Sequence, residues 1–582
     1  RGEAPDPCEA GAAEIAAVWS TDRAAAIRAN VAAKEAARVG AAIDGWSERW
    51  AGAYRGVCRA GRGAWSRELA DKGMACLARH KRELAATVDV LATAPRLAGR
   101  GDDIAAALAR PESCADAAHL AAAVPLPDDP AAARDVETHF AELAKAEALI
   151  AAGQPAAAKA LIAPAKALGE SSSYKPLLAR AHYLGGRAAS ARLDYAAAFA
   201  AYRDGYYAAR AGRDPATATA CASAAALSLL DLSRDPEAVE WAKLAEAEAG
   251  AGGDPRLDAQ VHGALAAVTK DAKVALGYAD RCVAYAAQQT TRPHTEAYRQ
   301  RAELRDKVGD VAGALADLDE GERRVRAMDG DELDVAVLER ERALYLTRVR
   351  RTDDAIAAAR RGLAIAERVA GPDSPATIDA IGVLAMTLKE AERYEEALPL
   401  FERAIAHDEP GSYNLASDLN NRADLDAAMG NLDQALATWE QARAMFAAIT
   451  GEASYEVGMV ALNVWNGLYR AGRPVGPAAS HAALAVKVFA ATPEASTYAQ
   501  ALIALGTSEL ENGDAAHAAQ HLADGLGKIG DDAGWRLRAR LGLARLEPAR
   551  ARELLAAARA DAVATKQPDR VKEIDALLAR LQ

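Results

Sequence analysis

The sequence is short of aromatic residues, of long apolar runs and of excess basic charge, and each shortage narrows what the chain can be. Aromatics are 5% of 582 residues while hydrophobic residues are 51%, so the apolar content is mostly small. Alanine carries much of it. Alanine has the best helix propensity and lets backbones approach closely, which favours stacked helices over a sheet, and essentially no strand is expected. No stretch reaches the roughly 18 consecutive apolar residues of a membrane-spanning helix. Lys and Arg number 70 against 82 Asp and Glu, a formal net charge of -12 with a pI near 5.5. A nucleic-acid footprint needs a clustered basic face, so nucleic acid is not an expected partner. No phosphate-cradling loop, kinase loop or serine-nucleophile elbow occurs, so no enzyme activity and no cofactor are expected.

Two short motifs carry chemistry only weakly. Gly525-Leu526-Gly527-Lys528-Ile529-Gly530 has dinucleotide-loop spacing, but such a loop needs a strand before it and a helix opening on the phosphates. The better reading is a helix-ending loop. His517, His521 and Asp524 can share one helical face, but no glutamate sits between the histidines as in a zinc protease, so a solvated face is favoured and no metal is assigned.

What is present is a repeat. Ile378 to Glu409 carries Leu384, Ala385 and Leu388 on one helix and Tyr394, Ala397, Phe401 and Ala404 on a second, before Pro410. Leu419, Ala423, Gly430, Ala435, Trp439 and Ala442 restate it. Small residues stand where paired helices touch, and large ones fill the space beside them. This resembles the tetratricopeptide pattern. The alanine of the second helix serves as a phase mark at Ala158, Ala198, Ala238, Ala275, Ala314, Ala355, Ala397, Ala435, Ala478, Ala518 and Ala551. The marks lie about 40 residues apart, longer than the roughly 34 of the minimal repeat.

Three prolines, Pro125, Pro127 and Pro130, form the clearest boundary. The expected organisation is an N-terminal helical module over 1–124, a right-handed superhelical solenoid of about eleven units over 131–565, and a capping helix over 566–582. That last helix aligns Val571, Ile574, Leu577, Leu578 and Leu581 in one stripe that can shield the final repeat. Joints at Gly212 to Pro215, Gly252 to Pro255 and Gly371 to Pro375 punctuate the array, and the last resembles the longer units of kinesin-light-chain type, which bind peptides. A break is expected near Gly472 to Pro477, where two glycines and two prolines crowd one joint.

Four of the six cysteines, Cys8, Cys58, Cys76 and Cys114, fall in the N-terminal module. An even set invites a disulfide reading, although cysteine is also a common buried residue. The module reads as helices over 12–34 and 39–59, a third over 64–91 and a short fourth before Pro111. A turn near residues 34–37 brings Cys58 back beside Cys8, and a turn near 94–101 brings Cys76 to the neighbourhood of Cys114. Cys58 and Cys76 lie at unequal distances from their turn at Gly61, which disfavours that pair. Cys221 and Cys282 read as repeat core.

The module also carries a family resemblance. Cys8, Val18-Trp19 with Arg23, Trp50 to Cys58, then Ser66, Leu69, Asp71, Met74, Cys76 and Leu77, then Cys114-Ala115-Asp116 and Pro125 are similar to the segment after the membrane helix in serine/threonine protein kinases of myxobacterial type, which carry C-terminal tetratricopeptide repeats. Gly73 departs from the pattern, where the family usually has arginine. The resemblance implies a kinase domain and one membrane helix upstream of Arg1, with this chain on the extracytoplasmic side; a cytoplasmic location is the alternative. An exported setting fits paired cysteines.

First helices of such repeats line the concave face, so their polar residues are the default ligand contacts. Asn420, Asn421 and Asp424 lie on one, and Asn463, Asn466, Tyr469 and Arg470 on the next. Amides supply both donor and acceptor to an extended peptide backbone, or else bond to the neighbouring helix. Trp439 and Trp465 sit at core positions. The expected function is a non-catalytic protein- or peptide-binding solenoid, the sensory or scaffolding region of a membrane-anchored kinase. The alternative is a structural protein that self-associates through its convex face or ends. Oligomeric state stays open.

Overall fold

The computed structural model describes residues 6–31, 33–93, 101–106, 108–232, 234–250, 254–289, 294–328, 332–408, 410–490 and 495–581. Helix takes up 84% of the chain, and no strand occurs among the described residues. No described helix is long and apolar enough to cross a membrane.

Two long helices, Ala33–Ala60 and Arg67–Thr93, build the N-terminal module. The helix expected over 12–34 is two, Gly11–Ala16 and Thr21–Asn30. The chain breaks there because Ser20 takes an extended conformation and its hydroxyl accepts from the Arg23 N–H, capping a new helix. The short fourth helix before Pro111 is Gly101–Ala106, and a 3₁₀ turn, Pro111–Ala115, follows it. The turn expected at 94–101 lies mostly outside the described residues. Disulfides join Cys8 to Cys58 and Cys76 to Cys114, with Cα separations of 5.4 and 5.5 Å. Trp50 is buried, and its Nε1–H donates to the Leu77 carbonyl at 2.9 Å, tying the long helices together. Gly73 faces this contact: a Cβ there would stand 2.8 Å from Val57 Cγ1 and 3.0 Å from the Cys114 carbonyl oxygen.

The module packs on the first repeat helix, Pro130–Ala151. Arg79 donates from Nε and Nη2 to Glu137 at 3.2 and 2.8 Å, and its guanidinium lies 4.5 Å above the Phe140 ring. Pro130 occupies the first helical position, where its missing N–H costs nothing, and Asp129 caps Ala132 N.

From Pro130–Ala151 with Pro155–Ser171 to Ala533–Leu546 with Ala551–Ala564, described helices alternate as eleven pairs, followed by Pro568–Arg580. The phase-mark alanines are wholly buried, except Ala478 and Ala551 at 3% and 5% exposure. Their period is therefore a packing signal. Joints end in side-chain caps: Asp194, Asp214, Asp310, Ser374, Ser412, Ser454, Asp514 and Asp532 each accept from a backbone N–H of the helix that follows. In the joint at 252–255, Asp254 caps Pro255–Val268, while Gly252 and Gly253 lie outside the described residues. Ile574 is fully buried against Leu537, Leu555, Ala558 and Ala562, so the last helix covers the final pair; Leu581 is 42% exposed.

The chain divides into two compact units, Arg1–Tyr345 and Leu346–Gln582, a division that the repeat pattern does not announce. Inside the second unit the joint expected to break is bonded instead. The N–H groups of Val475 and Gly476 both donate to Glu511, Ser508 donates to the Val475 carbonyl, and Asn512 donates to that of Gly476. A Gly- and Pro-rich loop lacks internal partners, and the Ala495–Glu511 helix with the residue after it supplies them.

Candidate functional site

Within the second unit, first helices touch the first helix of the next pair: Pro375–Glu390 meets Tyr413–Ala428, which meets Tyr455–Arg470, then Ala495–Glu511, then Ala533–Leu546. Second helices do not do so to the same extent, so the first helices form the inner layer. Ser412 and Ser454 start two of these helices, and Ala416, Leu419 and Ala423 on one and Val457, Val460, Ala461, Val464 and Trp465 on the other anchor the buried face. The seven residues singled out from sequence lie on these same two helices.

Their environments differ. Asn463 Nδ2 donates to Asn420 Oδ1 at 3.1 Å, a bond between helices. Asp424 accepts from Trp439 Nε1 at 3.0 Å and from Lys389 Nζ at 3.3 Å. Burial raises the Asp424 pKa, while the lysine and the indole N–H act against that shift. Three of the seven therefore already hold helices together. Asn421 is half-buried and makes no such bond among the described residues. Asn466 differs more: its Oδ1 is buried and has no hydrogen-bond partner. Such an atom costs about 1–3 kcal/mol unless something donates to it.

An aromatic and cationic stack is built from helices two pairs apart. Tyr469 stacks on Trp465 with ring centroids 5.3 Å apart, and Trp465 stacks on Trp535 at 5.7 Å. The guanidinium of Arg538 lies 4.5 Å from the Tyr469 centroid and 4.3 Å from that of Trp535. Burial lowers its pKa, Arg470 lowers it further, and Asp532 acts on it only through space. Among the described residues no carboxylate pairs with Arg538 or with the exposed Arg470. A desolvated cation without a counter-ion is the part of this surface most ready to take an anion.

Arg538 and Trp535 were not among the residues suggested by sequence. The available signal was the spacing of Arg536, Arg538 and Arg540 on one helix. Arg536 and Arg540 both bind Asp561 on the paired helix, which leaves Arg538 directed to the other side.

The remaining motifs have structural roles. Gly525 and Gly527 lie inside the Ala515–Lys528 helix, and a Cβ on Gly525 would stand 2.6 Å from Ile503 Cγ1. Close packing accounts for that glycine. His517 Nδ1 is 2.7 Å from Asp514 and His521 Nδ1 is 2.8 Å from Glu509, while Asp524 is exposed. The two imidazoles stack with centroids 6.5 Å apart, but the three side chains do not form a ligand cluster among the described residues. Trp439 and Trp465 are buried, and free Cys221 and Cys282 are buried in the first unit.

Residues 334–409 match the tetratricopeptide repeat family model. Solved structures similar to the chain include a Rap protein complexed with competence and sporulation factor, 13% identical over 63% of this chain and 98% of that one, with a TM-score of 0.40. The Cut9-Hcn1 hetero-tetramer of APC/C is 14% identical over 88% of this chain and 96% of that one, also with a TM-score of 0.40. No curated protein matches the sequence. The chain thus carries tetratricopeptide repeats in an all-α array of helix pairs.

Proposed function

We propose that the chain is a non-catalytic binding solenoid whose inner layer receives an extended peptide or protein segment bearing an acidic group. One observation carries this reading: Arg538 lies between Tyr469 and Trp535 without a carboxylate partner among the described residues. The guanidinium supplies a charged fork to the acid, and Asn421 with the remaining amide groups of Asn420 and Asn463 supplies further polar contacts. We further infer that this is the sensory or scaffolding region of a membrane-anchored serine/threonine kinase, held on the extracytoplasmic side. The support is the module's residue pattern from Cys8 to Pro125 together with its two disulfides.

The test is a panel of fluorescent extended peptides, acidic and neutral, titrated with the full chain and followed by anisotropy. Acidic members bind, and Arg538→Gln weakens them about tenfold or more with the helical circular dichroism unchanged. Equal binding of neutral and acidic members, or indifference to Arg538→Gln, would overturn the groove assignment. Concentration-dependent growth in light scattering without peptide binding would favour a self-assembling structural protein.

A further inference from the structure

The N-terminal module holds a cluster that the binding reading does not use. Cys76 and His80 stand one turn apart on the Arg67–Thr93 helix, and Cys114 comes to them from the Pro111–Ala115 turn. Potential ligand atoms of all three lie within 4.8 Å of one another, the one such group among the described residues. His80 Nδ1 is 3.4 Å from Cys114 Sγ. Cys114 is fully buried and His80 nearly so, while Cys76 is only half-buried, which leaves a side from which an ion can reach the sulfurs. The Cys8–Cys58 pair has no histidine gathered to it in this way.

In the oxidised chain the two sulfurs are spent on each other. We propose that the reduced chain binds one zinc-class divalent ion through Cys76 and Cys114 thiolates and His80 Nδ1, so that disulfide and metal site are alternative states of one cluster. A dithiol donor reduces the bond by exchange: it becomes a disulfide itself and leaves two thiols here. Binding the ion then releases the two thiol protons. Tetrahedral zinc with sulfurs at about 2.3 Å needs them roughly 3.8 Å apart. With the Cα atoms 5.5 Å apart, side-chain rotation reaches that separation with little backbone movement. An i, i+4 pair on a helix puts Cys76 and His80 on one face, and a two-sulfur, one-imidazole set suits zinc better than magnesium or calcium. The fourth position falls to water.

The test uses the full chain, reduced anaerobically, freed of reductant and titrated with cobalt(II) as a spectroscopic stand-in. One equivalent produces thiolate-to-cobalt charge-transfer absorption and tetrahedral visible bands, and zinc bleaches both. Cys8→Ser with Cys58→Ser retains the signal, Cys76→Ser with Cys114→Ser abolishes it, and His80→Ala weakens binding at least tenfold. A measurement without variants runs in parallel: zinc protects Cys76 and Cys114 from alkylation in the reduced wild-type chain and leaves Cys8 and Cys58 reactive. Absence of the cobalt bands, their survival without Cys76 and Cys114, an unchanged affinity in a folded His80→Ala chain, or equal alkylation with and without zinc would each overturn the proposal.

Discussion

Asn463 donates to Asn420 across 3.1 Å and so joins the first helices of two successive pairs. The bond spends one donor and one acceptor, while each amide keeps groups that can face a ligand. These two side chains therefore have a structural role besides the binding role proposed for them. Asn463→Ala should cost about 1 kcal/mol in urea unfolding, and Asn420→Ala should cost less in that background than alone, because the shared bond is already gone. Strictly additive losses would mean that the two amides act separately.

Gly73 is a position where this chain departs from the module pattern it resembles, and the fold gives a reason. Its Cα faces Val57 and the Cys114 carbonyl at a distance that leaves no room for a Cβ. Gly73→Arg gains about 1 kcal/mol of helix propensity but must push the Pro111–Ala115 turn away, so a net loss of about 2 kcal/mol or more is expected. Thermal unfolding checks this against Arg67→Lys, an exposed residue of the same helix expected to change stability by about 0.5 kcal/mol or less. A stable Gly73→Arg chain would mean that the turn accommodates the family's arginine.

Much of the fold was legible because it is written locally. The phase-mark alanines recur with the helix pair, and burial of all eleven shows that one small residue at a fixed phase reports each close approach. The two expected cysteine pairs are those formed, although residues 34–37, expected as a turn, lie inside the Ala33–Ala60 helix. What was not legible depends on residues far apart in sequence. The loop at 472–477 looks like a break until Glu511 and Asn512 are seen to bind it. Arg538 meets Tyr469 across two helix pairs, a contact that no window of one repeat contains. The division of the first helix at Ser20 was a local signal, since serine before Thr21 can cap a new helix, but the apolar spacing of Ile15 and Trp19 masked it. Of the groove residues, Asn466 has a buried Oδ1 without a partner, whereas Asp424 proved committed to Trp439 and Lys389.

Asp418 gives the second unit a pH dependence whose sign can be worked out. It lies on the Tyr413–Ala428 helix, with its Oδ1 only 3.3 Å from the place a Cβ of Gly382 would occupy. Burial, and then repulsion from Asp408 and Asp379, raises its pKa from the ordinary 3.8 to about 7. Asp418 and Asp408 share a hydrogen bond, which the protonated Asp418 donates to Asp408 and which favours that form further. A carboxyl whose folded pKa exceeds its unfolded value is favoured in its protonated form. Its contribution is fully present below about pH 3.8 and is lost progressively as pH rises through 7, because the unfolded chain ionises first. Above pH 7 the fold must carry the charge. Asp418→Asn keeps the shape and removes that charge, so it should stabilise the second unit by about 2 kcal/mol at pH 8, after allowing for partial solvent screening, and change little at pH 3.5. Urea unfolding at the two pH values, followed by tryptophan fluorescence, checks this. A lower midpoint for Asp418→Asn at pH 8 would mean instead that the ionised carboxylate is held by a favourable partner in the fold.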